Sequence, residues 1–144
     1  MIAQTVYVGA DVSKPTIVLG CPHLKLPASI PNTPAGFRTL IALAAKSLRP
    51  VHIVCEATGK YHQGLAAALQ AAGIAVSVVN PRLTFSFARS CGQLAKTDAI
   101  DALLLADFGE SRKPDPTPAP APVLMKLKGL VDRRAQLVAE RARE

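Results

Sequence analysis

Val6, Val8, Ala10 and Val12 recur at every second position, so residues 5 to 13 are predicted as a strand with one buried face. Pro15 interrupts, residues 16 to 21 form a second β-like run, and Pro22-His23 turns into a third, weaker run over 24 to 30. Such short turns imply an antiparallel meander. Thr33 then reads as an N-cap with Pro34 at the first helical position. Phe37, Leu40, Ile41, Ala44, Ala45 and Leu48 follow at helical spacing, an amphipathic stripe that runs up to Pro50. Val51 to Ala57 is apolar throughout, as in a central strand covered on both faces. An Ala-rich helix over Tyr61 to Ala72 stops at Gly73, and Ile74 to Val79 is another apolar strand. Asn80-Pro81 caps a helix from Arg82 to about Ser90, and Gly92 breaks it. Thr97 caps the next helix, which reaches about Ser111.

From Pro114 to Pro122 proline occupies every second position, a stiff extended segment that spans about 3 Å per residue. It is read as a linker over 113–122. Residues 123–144 read as one basic helix with Leu124, Leu127, Leu130, Val131, Leu137 and Val138 on a partial seam, the opening of a coiled coil. The body is then residues 1–112. Its order, three meandering strands followed by alternating helix and strand, is that of the ribonuclease H-like fold, an α/β architecture with a mixed five-stranded sheet flanked by helices.

Composition sharpens this picture. Trp is absent and aromatic residues make up 4%, so the core must be aliphatic. Seventeen Lys and Arg against ten Asp and Glu give a net charge of +7, which favours a polyanionic partner, nucleic acid first. Cys21, Cys55 and Cys91 are widely spaced, without the pairing of a zinc site or a disulfide framework, and fit a reducing cytosol. The first residues lack the basic and apolar regions of a signal peptide, and no apolar run is long enough for a bilayer. A soluble cytoplasmic protein is expected, with no membrane partner.

Against this basic background the acids are scarce. Asp11, Glu56, Asp98 and Asp101 are the only ones in the first 106 residues. Asp98 and Asp101 lie about 60° apart on one helix face, which Leu105 and Phe108 continue. Asp11 interrupts a Val-rich strand and Glu56 closes an apolar one. A helix dipole would account for the first pair, a turn for Glu56, and Lys14 for Asp11, each taken alone. Together they describe buried carboxylates that must be neutralised. Hard oxygens suit Mg²⁺ or Mn²⁺, and two such ions about 4 Å apart serve phosphodiester chemistry. Lys96 is the foremost candidate for a phosphate contact, and Thr58-Gly59-Lys60-Tyr61-His62 shapes the floor beside Glu56, contacts a phosphate, or is a plain turn. His23, His52 and His62 have no ligand spacing, and no phosphate-binding glycine motif is present.

Gly9-Ala-Asp11-Val-Ser-Lys14, Glu56-Ala-Thr-Gly-Lys-Tyr-His62, Asn80-Pro81-Arg82 and Ala95-Lys-Thr-Asp98-Ala-Ile-Asp101-Ala102 together resemble the DEDD transposases of bacterial insertion sequences, the group that includes the pilin-gene invertases. The resemblance covers roughly residues 6 to 110. It implies a RuvC-like N-terminal domain whose metal-binding catalytic acids are Asp11, Glu56, Asp98 and Asp101, with Mg²⁺ or Mn²⁺, two ions. It further implies Mg-dependent DNA strand cleavage and transfer, guided by a structured noncoding RNA and completed by a C-terminal domain with a serine nucleophile. Self-association as a dimer or tetramer through the terminal helix and a bacterial, nucleoid-associated location follow from the same likeness. Lys14, Lys60, Arg82 and Lys96 are the candidate nucleic-acid contacts. The competing readings are a stand-alone junction resolvase or nuclease of the same fold, and a basic nucleic-acid-binding module without catalysis. An actin-like or sugar-kinase ATPase half would need a glycine-rich loop after the first strand, and Ser13-Lys14-Pro15 does not supply one.

Overall fold

A computed structural model of the chain describes residues 3–93 and 96–143, except the side chains of 122–125. Ala95 and the side chain of Leu124 therefore lie outside the described residues. The elements are β1 (Val6–Val12), β2 (Thr16–Gly20), β3 (Ser29–Pro31), α1 (Pro34–Lys46), β4 (Val51–Glu56), α2 (Gln63–Ala71), β5 (Ala75–Val79), α3 (Pro81–Ser90), α4 (Asp98–Arg112) and α5 (Pro122–Arg141). They build one five-stranded sheet in the order β3-β2-β1-β4-β5. β1 and β2, and β2 and β3, are antiparallel, whereas β4 runs parallel to both β1 and β5. This is the ribonuclease H-like topology, a mixed sheet with helices on both faces.

The two-residue period of the strands sorts side chains between two cores. Val8, Ala10 and Val12 join Ile53, Cys55 and Val76 on the face covered by Phe37 and Leu40 of α1 and Leu65 and Leu69 of α2. Val54 and Val79 face the other way and pack on Phe87 of α3 and Leu105 and Phe108 of α4, with Phe87 and Phe108 edge to face at 5.5 Å. Leu105 and Phe108 thus lie buried below the acids, as their stripe predicts.

Two glycines fix how close α4 comes. Gly9 of β1 and Gly20 of β2 are register partners. A methyl group at Gly9 would fall 1.7 Å from the Ala102 carbonyl oxygen, and one at Gly20 2.5 Å from the Leu103 amide nitrogen. Only bare backbone at both positions lets α4 lie directly on the hairpin.

Several boundaries differ from the pattern. α1 ends at Lys46, and Leu48, expected on its buried stripe, is 99% exposed. Ser47 takes extended backbone and its hydroxyl donates to the Arg49 carbonyl, a local bond that competes with another helical turn. The third strand pairs only over Ser29–Pro31, because Pro22 and Pro27 have no N–H for a ladder; Leu24 and Leu26 pack on the core from a loop. α2 begins at Gln63, not Tyr61, since Gly59 at φ +53 and the Thr58 N–H donating to His62 Nδ1 close a turn first.

The proline-rich stretch is anchored over part of its length. Thr117 N–H donates to the Val76 carbonyl at 2.8 Å, Val78 N–H donates to Thr117 Oγ1 at 2.9 Å, and Ser77 Oγ donates to the Asp115 carbonyl at 2.8 Å. Residues 115–117 thereby follow the outer edge of β5. Alternating prolines are compatible with such a path, since only alternate residues turn their N–H toward a neighbouring strand. Leu127, Leu130, Val131, Leu137 and Val138 of α5 are exposed.

Candidate metal centre

Asp11 and Glu56 reach one place through strand register. Gly9 pairs with Val54 and Ala10 with Cys55 across the parallel β1–β4 ladder, so the next residues, Asp11 and Glu56, stand side by side. Both follow the alternation of Gly9 and Val54, which face α4. Asp98 and Asp101 arrive from above at the start of α4. Thr97 caps that helix, its Oγ1 accepting from the Ile100 N–H at 3.2 Å. With α4 seated on Gly9, one carboxylate oxygen from each of Asp11, Asp98 and Asp101 lies within 4.8 Å of the others.

Asp11 carries the strain of this crowding. Burial, then the charges of Asp101, Asp98 and Glu56, and a hydrogen bond with Asp98, push its carboxyl from the usual 3.8 up to about 6. A proton on Asp11 relieves part of this repulsion at low pH, and a cation would relieve the same repulsion once the carboxyl is ionised. The donors are hard oxygens in reach of one centre, and their electrostatics demand positive charge. The residues present fit a divalent cation.

Glu56 is outside that three-residue group and is held separately. Its Oε1 accepts from the hydroxyl of Thr84, a residue of α3 only 1% exposed; the same hydroxyl is 3.0 Å from the Pro81 carbonyl oxygen. Thr84 is absent from the sequence expectations. Its one signal is a polar residue three positions before Phe87 on the buried side of α3.

A cavity of about 660 Å³ opens beside the acids, lined by Asp11, Glu56 and Asp101 and by residues of α3 and the segment before α4. Arg82 and Lys96 line it as well. Lys14 and Lys60 stand apart on exposed turns after β1 and β4. His52 is buried, its Nε2 2.7 Å from Ser77 Oγ, and burial lowers its pKa; His23 lies 3.7 Å from Glu110 on the surface. Burial pushes the Cys55 thiol up to about 12, so it stays protonated as a core residue. Among the described residues no helix is long and apolar enough to cross a membrane.

The sheet order, with acids at the ends of β1 and β4 and at the start of α4, defines an α/β protein of ribonuclease H-like topology with a cluster of carboxylates on one end of its sheet. Residues 8–144 match the model of the IS110-type DEDD transposases, described as "Transposase", and the chain belongs to that family. It is 31% identical over 147 residues to a pilin gene-inverting protein of Moraxella bovis, covering 96% of this chain and 46% of the relative. It is 36% identical over 98 residues to the pilin gene-inverting protein of Moraxella lacunata, covering 65% of this chain and 30% of that one. The chain thus spans less than half the length of either relative. A solved structure of T. thermophilus RuvC in complex with Holliday junction substrate aligns with a TM-score of 0.45 at 11% identity, over 79% of this chain and 100% of RuvC.

Proposed function

We propose that this chain is the metal-binding catalytic domain of a DNA transposase or site-specific recombinase. The observation that carries the proposal is the convergence of Asp11, Asp98 and Asp101 carboxylates within 4.8 Å on a ribonuclease H-like sheet. These three residues hold Mg²⁺ or Mn²⁺, two ions in the working enzyme, with Glu56 as the fourth acid. Divalent cations there supply activation of an attacking oxygen and stabilisation of the leaving oxygen of a phosphodiester. The protein's own contribution is to order the ligands. Thr97 caps α4 and so fixes where Asp98 and Asp101 begin, Gly9 sets the height of α4 above Asp11, and Thr84 restrains Glu56. Below about pH 6 a cation would compete with the proton on Asp11 for the same carboxylate.

Arg82 and Lys96 place the DNA backbone over the acids, with Lys14 and Lys60 reaching flanking phosphates from their turns. The family membership and the length of the relatives support a need for further residues, a C-terminal domain that supplies the nucleophile. A structured guide RNA selects the DNA, and α5, with its exposed leucines and valines, joins protomers as a dimer or tetramer. The test is recombination by the complete reading frame that contains this chain, with Asp11→Asn, Glu56→Gln and Asp98→Asn. Each variant is expected to fold and to yield no recombined product. Product at the wild-type level from any two of them would overturn the proposal.

A further inference from the structure

Arg82, Phe85, Ser86 and Arg89 recur on α3 at i, i+3, i+4 and i+7 and all four line the cavity that holds Asp11, Glu56 and Asp101. The stripe is about 10 Å long at 1.5 Å per residue. Thr84 and Phe87 occupy the buried side of the same helix, so α3 is anchored and its outer stripe is presented at a fixed height. Phe85 is 63% exposed, whereas Phe87 and Phe108 are buried on this face of the sheet. Arg89 sets its guanidinium 5.9 Å from the Phe85 ring centroid. A cation on one side of an exposed ring holds the ring in place.

We propose that this stripe is a stacking platform for an unpaired base of a polynucleotide strand, whose phosphates follow Arg82, Arg89 and Lys96 toward the acids. The proposal rests on the nuclease reading above and names the state of the nucleic acid at its site. Three features favour a single strand. An aromatic ring between cationic side chains is the combination that binds unpaired strands, the ring taking a base face and the cations the backbone. In a duplex the base faces are covered by their neighbours and offer the ring nothing. The cavity, about 660 Å³, is of the size that takes a few nucleotides of an extended strand. A protein partner would meet two arginines on either side of a single ring, a poor match for an apolar anchor.

The experiment is fluorescence anisotropy with the 144-residue chain in Ca²⁺, using labelled oligo(dT), oligo(U) and a DNA duplex of the same length. Tighter binding of either single strand than of the duplex is expected, and the tighter of the two identifies the strand. Phe85→Leu, at an exposed position that leaves the fold intact, should weaken single-strand binding about tenfold and leave duplex binding unchanged, whereas Phe85→Tyr should bind like the wild type. Duplex binding as tight as that of both single strands, or a Phe85→Leu affinity within about twofold of wild type, would overturn the proposal. So would a Phe85→Leu effect that appears only as lost self-association in sedimentation, which would make the face a protein contact. Cation binding measured in parallel separates the two ideas. If no cation binds but the Phe85 effect holds, the nuclease reading fails and the platform stands; if cations bind and Phe85 has no effect, the platform alone fails.

Discussion

Thr84 donates its hydroxyl hydrogen to Glu56 Oε1 from inside α3, while Asp11, Asp98 and Asp101 gather without Glu56. One oxygen of Glu56 is thereby occupied and the carboxylate is aimed by a helix that packs on the opposite wall of the same core. A buried hydroxyl that orients a ligating group is commonly as consequential as the ligand, changing metal affinity or activity by about 10- to 100-fold when removed. Thr84→Val keeps the volume and removes the donor. It should weaken Mn²⁺ binding and recombination about tenfold while Thr84→Ser restores both. Equal affinity in all three proteins, read by isothermal titration, would show that Glu56 needs no such restraint.

Gly9 controls the height of α4. Gly9→Ala places a methyl group where the Ala102 carbonyl oxygen now lies, so the helix must rise or tilt. The expected cost is about 1–3 kcal/mol or more in denaturant unfolding. Because the same helix carries Asp98 and Asp101, the fraction that remains folded should also bind Mn²⁺ more weakly. A variant as stable as the wild type would mean that α4 is not seated on β1 as described.

The crowding at Asp11 fixes a pH dependence. Its carboxyl titrates near 3.8 when unfolded and at about 6 when folded, so between these values the folded protein binds the extra proton. Stability from this group is full below about 3.8 and is lost as pH rises through about 6. Cation binding runs the opposite way, since the metal needs the carboxylate, and should weaken as pH falls through 6. Thermal unfolding with and without Mn²⁺ should therefore show a larger metal-induced increase in Tm at pH 8 than at pH 5. Asp11→Asn should flatten both trends.

Thr117 ties the proline-rich stretch to β5. Thr117→Val removes the acceptor of the Val78 N–H and leaves that amide without the bond, at a cost of about 1–3 kcal/mol. Limited proteolysis should cut residues 113–122 faster in the variant. Unchanged cleavage would mean that the segment is held by its prolines alone.

The acids were legible because they were few. In a basic chain with apolar strands, Asp11 and Glu56 stand out as a set even though a turn or Lys14 would account for either alone, and helical spacing joined Asp98 to Asp101. The order of elements was legible for the same reason, as strand and helix periods differ sharply in an aliphatic sequence. What escaped depends on contacts across the fold. Gly9 and Gly20 acquire meaning only when register sets them opposite one another beneath α4. Thr84 reads as a helical residue of no note until α3 folds against β4. Leu48 fits a stripe that Ser47 ends two residues early, a matter of one side-chain bond. Thr117 lies in a segment whose composition predicts extension and is silent on which edge it meets.

The central claim is that Asp11, Asp98 and Asp101 form a cation site, and Mn²⁺ titration of the 144-residue chain at pH 8 tests it most directly, by calorimetry and by loss of the free-ion paramagnetic signal. The wild type should bind at no more than about 1 mM, and Asp11→Asn and Asp98→Asn should not bind in that range while remaining folded. Identical binding by all three proteins, or none by the wild type at about 1 mM, would contradict the account.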